Sequence, residues 1–540
     1  MIFLKKNNIY FRNVKIRVRD FMTRGIFQKL TLMLMAVLLS PAGAYASSID
    51  KEIDKYFAPF SDAFSGVVFF PVNIFGTKIP AVILLLLVSS IITTFYLRWI
   101  GIWGFNHSIK QIFGKKKKEF NESHNSKYGE VSSFGALATA LSGTVGLGNI
   151  ASVAIAISVG GPGAMFWMCV GAIFGMALKF CEVTLSLKYR RFNADGSVSG
   201  GPMFYIAHGL TRKGLRWLGQ PLALLFALMC IPGALSGGCM FQANQAAKQF
   251  INITGGDSSI FYNHSWIFGL IIAVLVGLVI VGGIKSIANV TSKIVPFMCG
   301  FYIIVSLIII FANITQIPHA IAIIVEEAFF PKAVAGGIAG CIIMGMRRSI
   351  QSNEAGSGSA PIAYAAVKTK EPISQGFVSL MEPFFDTVIV CSMTAFVIII
   401  TGKYLEYNEG ISGVELTSSA FASAFSFFPY ILAVIIILFA VSTIISWSYY
   451  GQKAWNYIFG EGVKRTKLYQ VIFCIFIVIG SSMNIQSVID FTDATLLAMS
   501  VPNLTAVFIL IKEIKADLIE YCKKYNLIYA MNKAWFKDEK

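Results

Sequence analysis

The chain has 540 residues, of which 56% are hydrophobic and only 14% charged, far below the roughly 25% charge of a soluble globular protein. No polar linker splits its apolar runs into the several domains a soluble chain of this length needs, so a soluble enzyme or signalling module is excluded. The net charge of +17 raises nucleic-acid binding, a possibility that the placement of the basic residues removes below. The nine cysteines fall mostly inside apolar runs without Cys-x-x-Cys spacing, which argues against a disulfide framework or zinc site and for apolar packing.

In chain order, Leu30 to Leu39 is a short apolar run preceded by basic residues and followed by Ser40-Pro41-Ala42-Gly43-Ala44-Tyr45-Ala46. That pattern predicts a signal peptide over 1–46, of ordinary length if translation starts at Met22, with a retained signal anchor as the alternative. Residues 47–79 then form a periplasmic segment. A membrane span takes roughly 20 apolar residues in a helix, and eleven segments qualify: 80–100, 133–158, 162–187, 217–247, 264–284, 293–312, 333–364, 374–401, 421–448, 467–484 and 488–512.

Cytoplasmic loops hold the excess of Lys and Arg. With the first span entered from outside, the loops 101–132, 188–216, 285–293, 365–373 and 449–470 and the tail from Lys512 carry 27 Lys/Arg, and the opposite loops carry 6. The expected topology is thus a multi-pass protein of the bacterial inner membrane, N-terminus outside and C-terminus cytoplasmic. The basic residues, Lys115 to Lys118 among them, belong to cytoplasmic loops, and nucleic acid is not needed as a partner.

Setting aside the first span with its basic loop (80–132), ten spans divide into two runs of five, 133–312 and 333–512, ahead of a tail at 513–540. Because five is odd, the second run has the opposite orientation, as in transporters built from inverted repeats. Each run opens on an interrupted helix: Ser142-Gly143-Thr144-Val145-Gly146-Leu147-Gly148-Asn149 in the first, Ser352-Asn353-Glu354-Ala355-Gly356-Ser357-Gly358-Ser359-Ala360-Pro361 in the second. Glycine destabilises a helix interior by about 1 kcal/mol relative to alanine, and Pro361 removes a donor. Unwound backbone at membrane depth is tolerated where it lines a cavity, and its free N–H and C=O groups suit a carboxylate and a cation. Small-residue helix packing is the plainer alternative, but it leaves Asn149, Asn353 and Glu354 unexplained.

These blocks, with Lys179 to Arg191 (KFCEVTLSLKYRR), Gly200 to Ile206 (GGPMFYI), Gln242-Ala243-Asn244, Lys368-Thr369-Lys370 and Asp386-Thr387, resemble the alanine or glycine:cation symporters over roughly 130–460. The resemblance implies an all-α, five-plus-five inverted-repeat fold of the amino acid–polyamine–cation superfamily type. It also implies sodium as coupling ion without organic cofactor, and alanine- or glycine-sized substrates. Carried over, it makes Thr144, Gly146, Gln242 and Asn353 expected substrate contacts; Gly148 and Ser349 complete the expected set with Trp447, which shares a helical face with Thr443 and would limit side-chain size. Gly143, Ser442 and Thr443 are the expected sodium ligands. Ser442 and Ser446, like Thr443 and Trp447, lie four apart on one helical face; hydroxyls bonding back to their own helix are the alternative.

Intramembrane charges are usually functional, so Glu354 and Asp386 are candidate gate or coupling charges. Lys179 is expected to pair with Glu182, and Arg347 or Arg348 with Glu354 or Asp386. Leu147, Ser357 and Gln351 depart from the family, where a small polar residue, Met and an aromatic are common, which opens the door to a different small neutral amino acid. A proton-coupled permease of the same fold is the nearest rival. A channel lacks the continuous polar stripe it needs. An intramembrane enzyme lacks an H-E-x-x-H or a Ser/His pair within the spans, so no catalytic residue is expected.

Overall fold

The computed structural model describes residues 59, 61–74, 77–114, 129–193, 195–331, 337–405, 413–483 and 485–527. The signal-like stretch 1–46 and Lys115 to Lys118 lie outside them. Helices account for nearly every described apolar run, because in hydrocarbon each backbone N–H and C=O must be satisfied within its own segment. The first pair, α1 (Ala81–Tyr96) and α2 (Ile100–Phe113), is bent by 66° where Arg98 and Trp99 adopt positive φ. There follow α3 (Ser133–Thr144), α4 (Gly148–Gly160), α5 (Ala164–Lys188), α6 (Arg216–Ile253), α7 (Ser265–Ile280), α8 (Gly283–Ala312) and α9 (Ile317–Phe329). The remainder are α10 (Gly337–Asn353), α11 (Pro372–Ile400), α12 (Val414–Ala424), α13 (Phe428–Phe459), α14 (Val463–Ser482) and α15 (Ile485–Lys524).

Six helices are each long and apolar enough to cross a membrane, and counting the bent pairs α1/α2 and α3/α4 as single spans brings the number to eight. The other three predicted spans are also helical but fall short for separate reasons. The α7 helix has 16 residues. The α10 helix has 17 and includes Arg347 and Arg348, while α14 opens on Lys464, Arg465 and Lys467. The α15 helix runs on to Lys524, so the tail expected from residue 513 begins as a continuation of the last span.

Packing places α5 against α1, α10 and α11, and α6 against α13, α14 and α15. The α8 helix lies on α3 and α13, and α7 lies on α13 and α14. At the end of the bundle where α5 finishes, Arg190 donates to the carbonyls of Ala365, Val367 and Thr369 at 3.0, 2.6 and 2.5 Å. Next to it, Arg191–Phe192 and Val198–Ser199 form an antiparallel hairpin. Val198 N–H donates to Glu130 at 2.8 Å, Lys453 Nζ donates to Val198 O at 2.8 Å, and Ser199 Oγ donates to Glu461 at 2.9 Å. One short hairpin thus ties the approach to α3 to the far end of α13.

Candidate functional site

The α3 helix stops at Thr144, and α4 begins on a wide turn over Gly148–Ser152, with a bend of 48° between them. Stopping there withholds the amides of Gly146 and Leu147 from the carbonyls of Ser142 and Gly143, their partners in an unbroken helix. All four groups find side chains instead. Gly146 N–H donates to Asn149 Oδ1 at 2.8 Å, and Leu147 N–H to Gln242 Oε1 at 3.0 Å. Ser142 O accepts from Thr443 Oγ1 at 2.9 Å, and Gly143 O from Trp447 Nε1 at 3.3 Å. A side chain on Gly146 would place its Cβ 2.3 Å from Thr443 Oγ1, so α13 reaches the break only because that residue is glycine.

The second break follows Asn353. Glu354 has φ 57°, uncommon for a non-glycine residue, and Gly356 and Gly358 have φ 87° and 84°, which glycine adopts freely. One helical turn, Pro361–Tyr364, resumes beyond. Within the break, Glu354 accepts from Trp447 Nε1 at 3.1 Å and from the Ser359 hydroxyl, and Asn503 of α15 donates to Gly356 O at 2.8 Å. Asn353 donates to Ser349 Oγ and to Thr387 Oγ1, each at 3.1 Å.

Asn149 joins the two breaks. Its Nδ2 lies 2.7 Å from Asp386 Oδ1, 3.0 Å from Asp386 O and 3.2 Å from Ser352 Oγ. Asp386 Oδ2 also accepts from Ser352 at 2.6 Å and from Thr387 at 2.8 Å. Each of these hydrogen bonds to the buried carboxyl group comes from an uncharged donor.

A small, partly open pocket lies where the breaks meet α6, α13 and α15. Of the expected residues, Gly143, Thr144, Gly148, Gln242, Glu354 and Trp447 line it, together with Gly237, Phe241, Gln351, Thr492 and Leu496. Gly146, Ser349, Asn353, Asp386, Ser442 and Thr443 are not in its lining. They sit behind it, holding the breaks: Ser349 donates to Met168 O at 2.9 Å, and Ser142 Oγ donates to Ser442 O at 2.6 Å. The Ser442 hydroxyl itself bonds back to Phe439 O at 3.0 Å.

Two charge pairings differ from expectation. Lys179 meets Glu382 of α11 at 3.1 Å, both fully buried, while Glu182 takes Asn503 Nδ2 at 2.5 Å. Arg347 and Arg348 converge on Asp493 of α15 at 2.6 and 3.4 Å, leaving Glu354 and Asp386 to uncharged donors. In both cases the partner is remote in sequence and approaches from a packed helix. Phe241 and Leu496 carried no sequence signal, while Thr492 stands between Asp490 and Asp493, intramembrane charges that could have marked it.

This arrangement, two interrupted helices whose loosened backbone and hydroxyls converge on one polar pocket inside an apolar bundle, belongs to solute carriers. The model of the sodium:alanine symporter family matches residues 66–532. The chain belongs to that family. Among its relatives, the sodium/alanine symporter AgcS of Methanococcus maripaludis is 38% identical over 433 residues, covering 80% of this chain and 92% of the relative. An uncharacterized transporter of Haemophilus influenzae is 40% identical, covering 74% and 85%. The probable sodium/glutamine symporter GlnT of Bacillus subtilis is 34% identical, covering 82% and 88%. As a sodium:alanine symporter family member, the chain is a multi-pass membrane protein whose relatives are transporters and not enzymes.

Proposed function

We propose that this protein is a sodium-coupled symporter that carries small neutral amino acids by alternating access around the pocket between the two breaks. The observation that carries the proposal is the pocket's lining: Thr144, Gly148 and Gln242 on one side, and Glu354 and Trp447 on the other. Polar groups from both interrupted helices suit the two charged ends of a zwitterion, and the Trp447 ring limits the side chain. Gly146, Ser349 and Asn353 would hold the site from behind. Sodium would take the hard oxygens where Thr443 Oγ1 meets the released carbonyls of Ser142 and Gly143, with Ser442 presenting its carbonyl beside them. Relatives named for alanine and for glutamine agree with a neutral substrate.

The five-plus-five inverted repeat over 133–312 and 333–512 draws support from mirrored packing. The third helix of the first run, α6, packs on the fourth and fifth of the second, α14 and α15. The third of the second, α13, packs on the fourth and fifth of the first, α7 and α8. The Lys/Arg distribution supports a cytoplasmic C-terminus. Sodium entry, aided by a membrane potential worth about 2.3 kcal/mol per charge per 100 mV, would order the first break against α13. By linkage sodium tightens amino-acid binding, and the amino acid tightens sodium binding equally.

Coupling to protons through Glu354 or Asp386 is the second reading, favoured by two carboxylates buried at the site. Radiolabelled alanine uptake into proteoliposomes separates the two. Uptake driven by an inward sodium gradient at equal pH, and competed by glycine but not by a large apolar amino acid, supports sodium symport. Uptake driven by a proton gradient alone overturns it in favour of the carboxylates. No uptake under either gradient rejects this substrate class.

A further inference from the structure

The α10–α15 wall of the pocket holds two polar groups that neither the family's backbone sites nor the sodium oxygens account for. The first is the amide of Gln351. Its Oε1 accepts from the Ser152 hydroxyl at 2.7 Å and from the Arg348 guanidinium. A guanidinium only donates, so the oxygen of the amide is fixed toward Arg348, and Arg348 is itself anchored to Asp493 at 3.4 Å. The NH2 end is thereby turned the other way, on a residue that lines the pocket, and among the described residues Gln351 makes no hydrogen bond through it. The second is Thr492, 1% exposed, whose Oγ1 is buried without a hydrogen-bond partner although the residue lines the same pocket. A buried hydroxyl left unpaired is unfavourable, and on a pocket wall a ligand or water can complete its bond.

Resting on the symporter reading above, we propose that Gln351 and Thr492 form a side-chain subsite that selects small neutral amino acids bearing a hydroxyl or amide over those with an apolar side chain of equal size. A serine hydroxyl can accept from the Gln351 NH2 group and pair with the Thr492 hydroxyl as donor or acceptor. An asparagine carboxamide does the same with its oxygen toward Gln351. An ethyl group in that position leaves both protein groups unsatisfied. Sites built to hydrogen-bond a substrate discriminate strongly against analogues lacking the group, because the protein's own polar atoms are then stranded. Gln351 supplies this donor only because Arg348, held by Asp493, orients the amide; Arg348 is a positioning residue for the subsite.

The test uses the full-length protein in detergent with saturating sodium. Serine and 2-aminobutyrate, which exchange a hydroxyl for a methyl group, compete for radiolabelled alanine in equilibrium binding. The expected result is a serine preference of about tenfold, equal to ~1.4 kcal/mol. That preference should shrink toward unity in both Gln351→Met and Thr492→Val. A ratio of affinities does not depend on how much active protein each preparation contains, and the second variant serves if the first does not fold. Alanine binding with no serine preference in the wild type, or a preference kept in both variants, overturns the subsite and leaves the symporter reading standing. Absence of alanine binding to the wild type overturns that reading and the subsite with it.

Discussion

The substitution Asn149→Ala tests whether the two breaks are one unit. It removes the acceptor that holds Gly146 N–H at 2.8 Å and the donor 2.7 Å from Asp386 Oδ1, and neither group can turn to bulk water, because Asn149 and Asp386 are fully buried. Each stranded group destabilises by ~1–3 kcal/mol, so the loss is roughly 2–6 kcal/mol, a large share of the ~5–15 kcal/mol that stabilises a typical fold. Ser142→Ala is the matched control. It removes one hydroxyl at the same depth and leaves behind only the Ser442 carbonyl, which lies within the α13 helix, so its expected loss is ~1 kcal/mol. Thermal unfolding in detergent, followed by tryptophan fluorescence, should place Asn149→Ala well below Ser142→Ala, and sodium-driven uptake should vanish in the remaining folded protein. Equal midpoints for the two variants would refute the argument that Asn149 clamps both breaks.

Three further outcomes follow from the same geometry. Thr443→Ala deletes the hydroxyl 2.9 Å from Ser142 O and should raise the sodium concentration for half-maximal uptake about threefold or more; an unchanged sodium dependence places the ion elsewhere. Glu354→Gln keeps the shape, since its amide nitrogen can face Ser359 while its oxygen still accepts from Trp447, so folding should change by no more than ~1 kcal/mol. Sodium-driven uptake by the same variant should fall at least tenfold if the charge belongs to coupling, and full activity would remove Glu354 from that role. Lys179→Met strands Glu382 in a fully buried site and should lower stability by ~3–5 kcal/mol, while Lys179→Met with Glu382→Gln should recover much of it in a double-mutant cycle; a double variant no better than the single would show the pair is not coupled.

The parts of this architecture written in local composition were legible in the sequence. Hydropathy located helices at all eleven segments, and the Gly-x-Gly motifs located both interruptions, because glycine acts where it stands. Of the six expected residues that line the pocket, Gly143, Thr144, Gly148 and Glu354 sit at those interruptions, and Gln242 and Trp447 come from α6 and α13. What stayed hidden was set by which helix packs on which. Lys179 pairs across to Glu382, Arg347 and Arg348 reach Asp493 on α15, and Thr492 and Leu496 enter the pocket from that same helix. Asn149 carried a partial signal, a lone amide beside the first break, but its role depends on Asp386, 237 positions away.

The hairpin beside Arg190 has a different bearing. It fastens the approach to α3 and the end of α13 through Val198 and Ser199 alone, far in sequence from any residue that lines the pocket. If alternating access as proposed opens the bundle at that end, those bonds part, and none of them belongs to a residue that lines the pocket. On the symporter reading, changes within this short loop would shift the balance between closed and open forms, and with it the pace of the cycle, without altering a single side chain that lines the pocket.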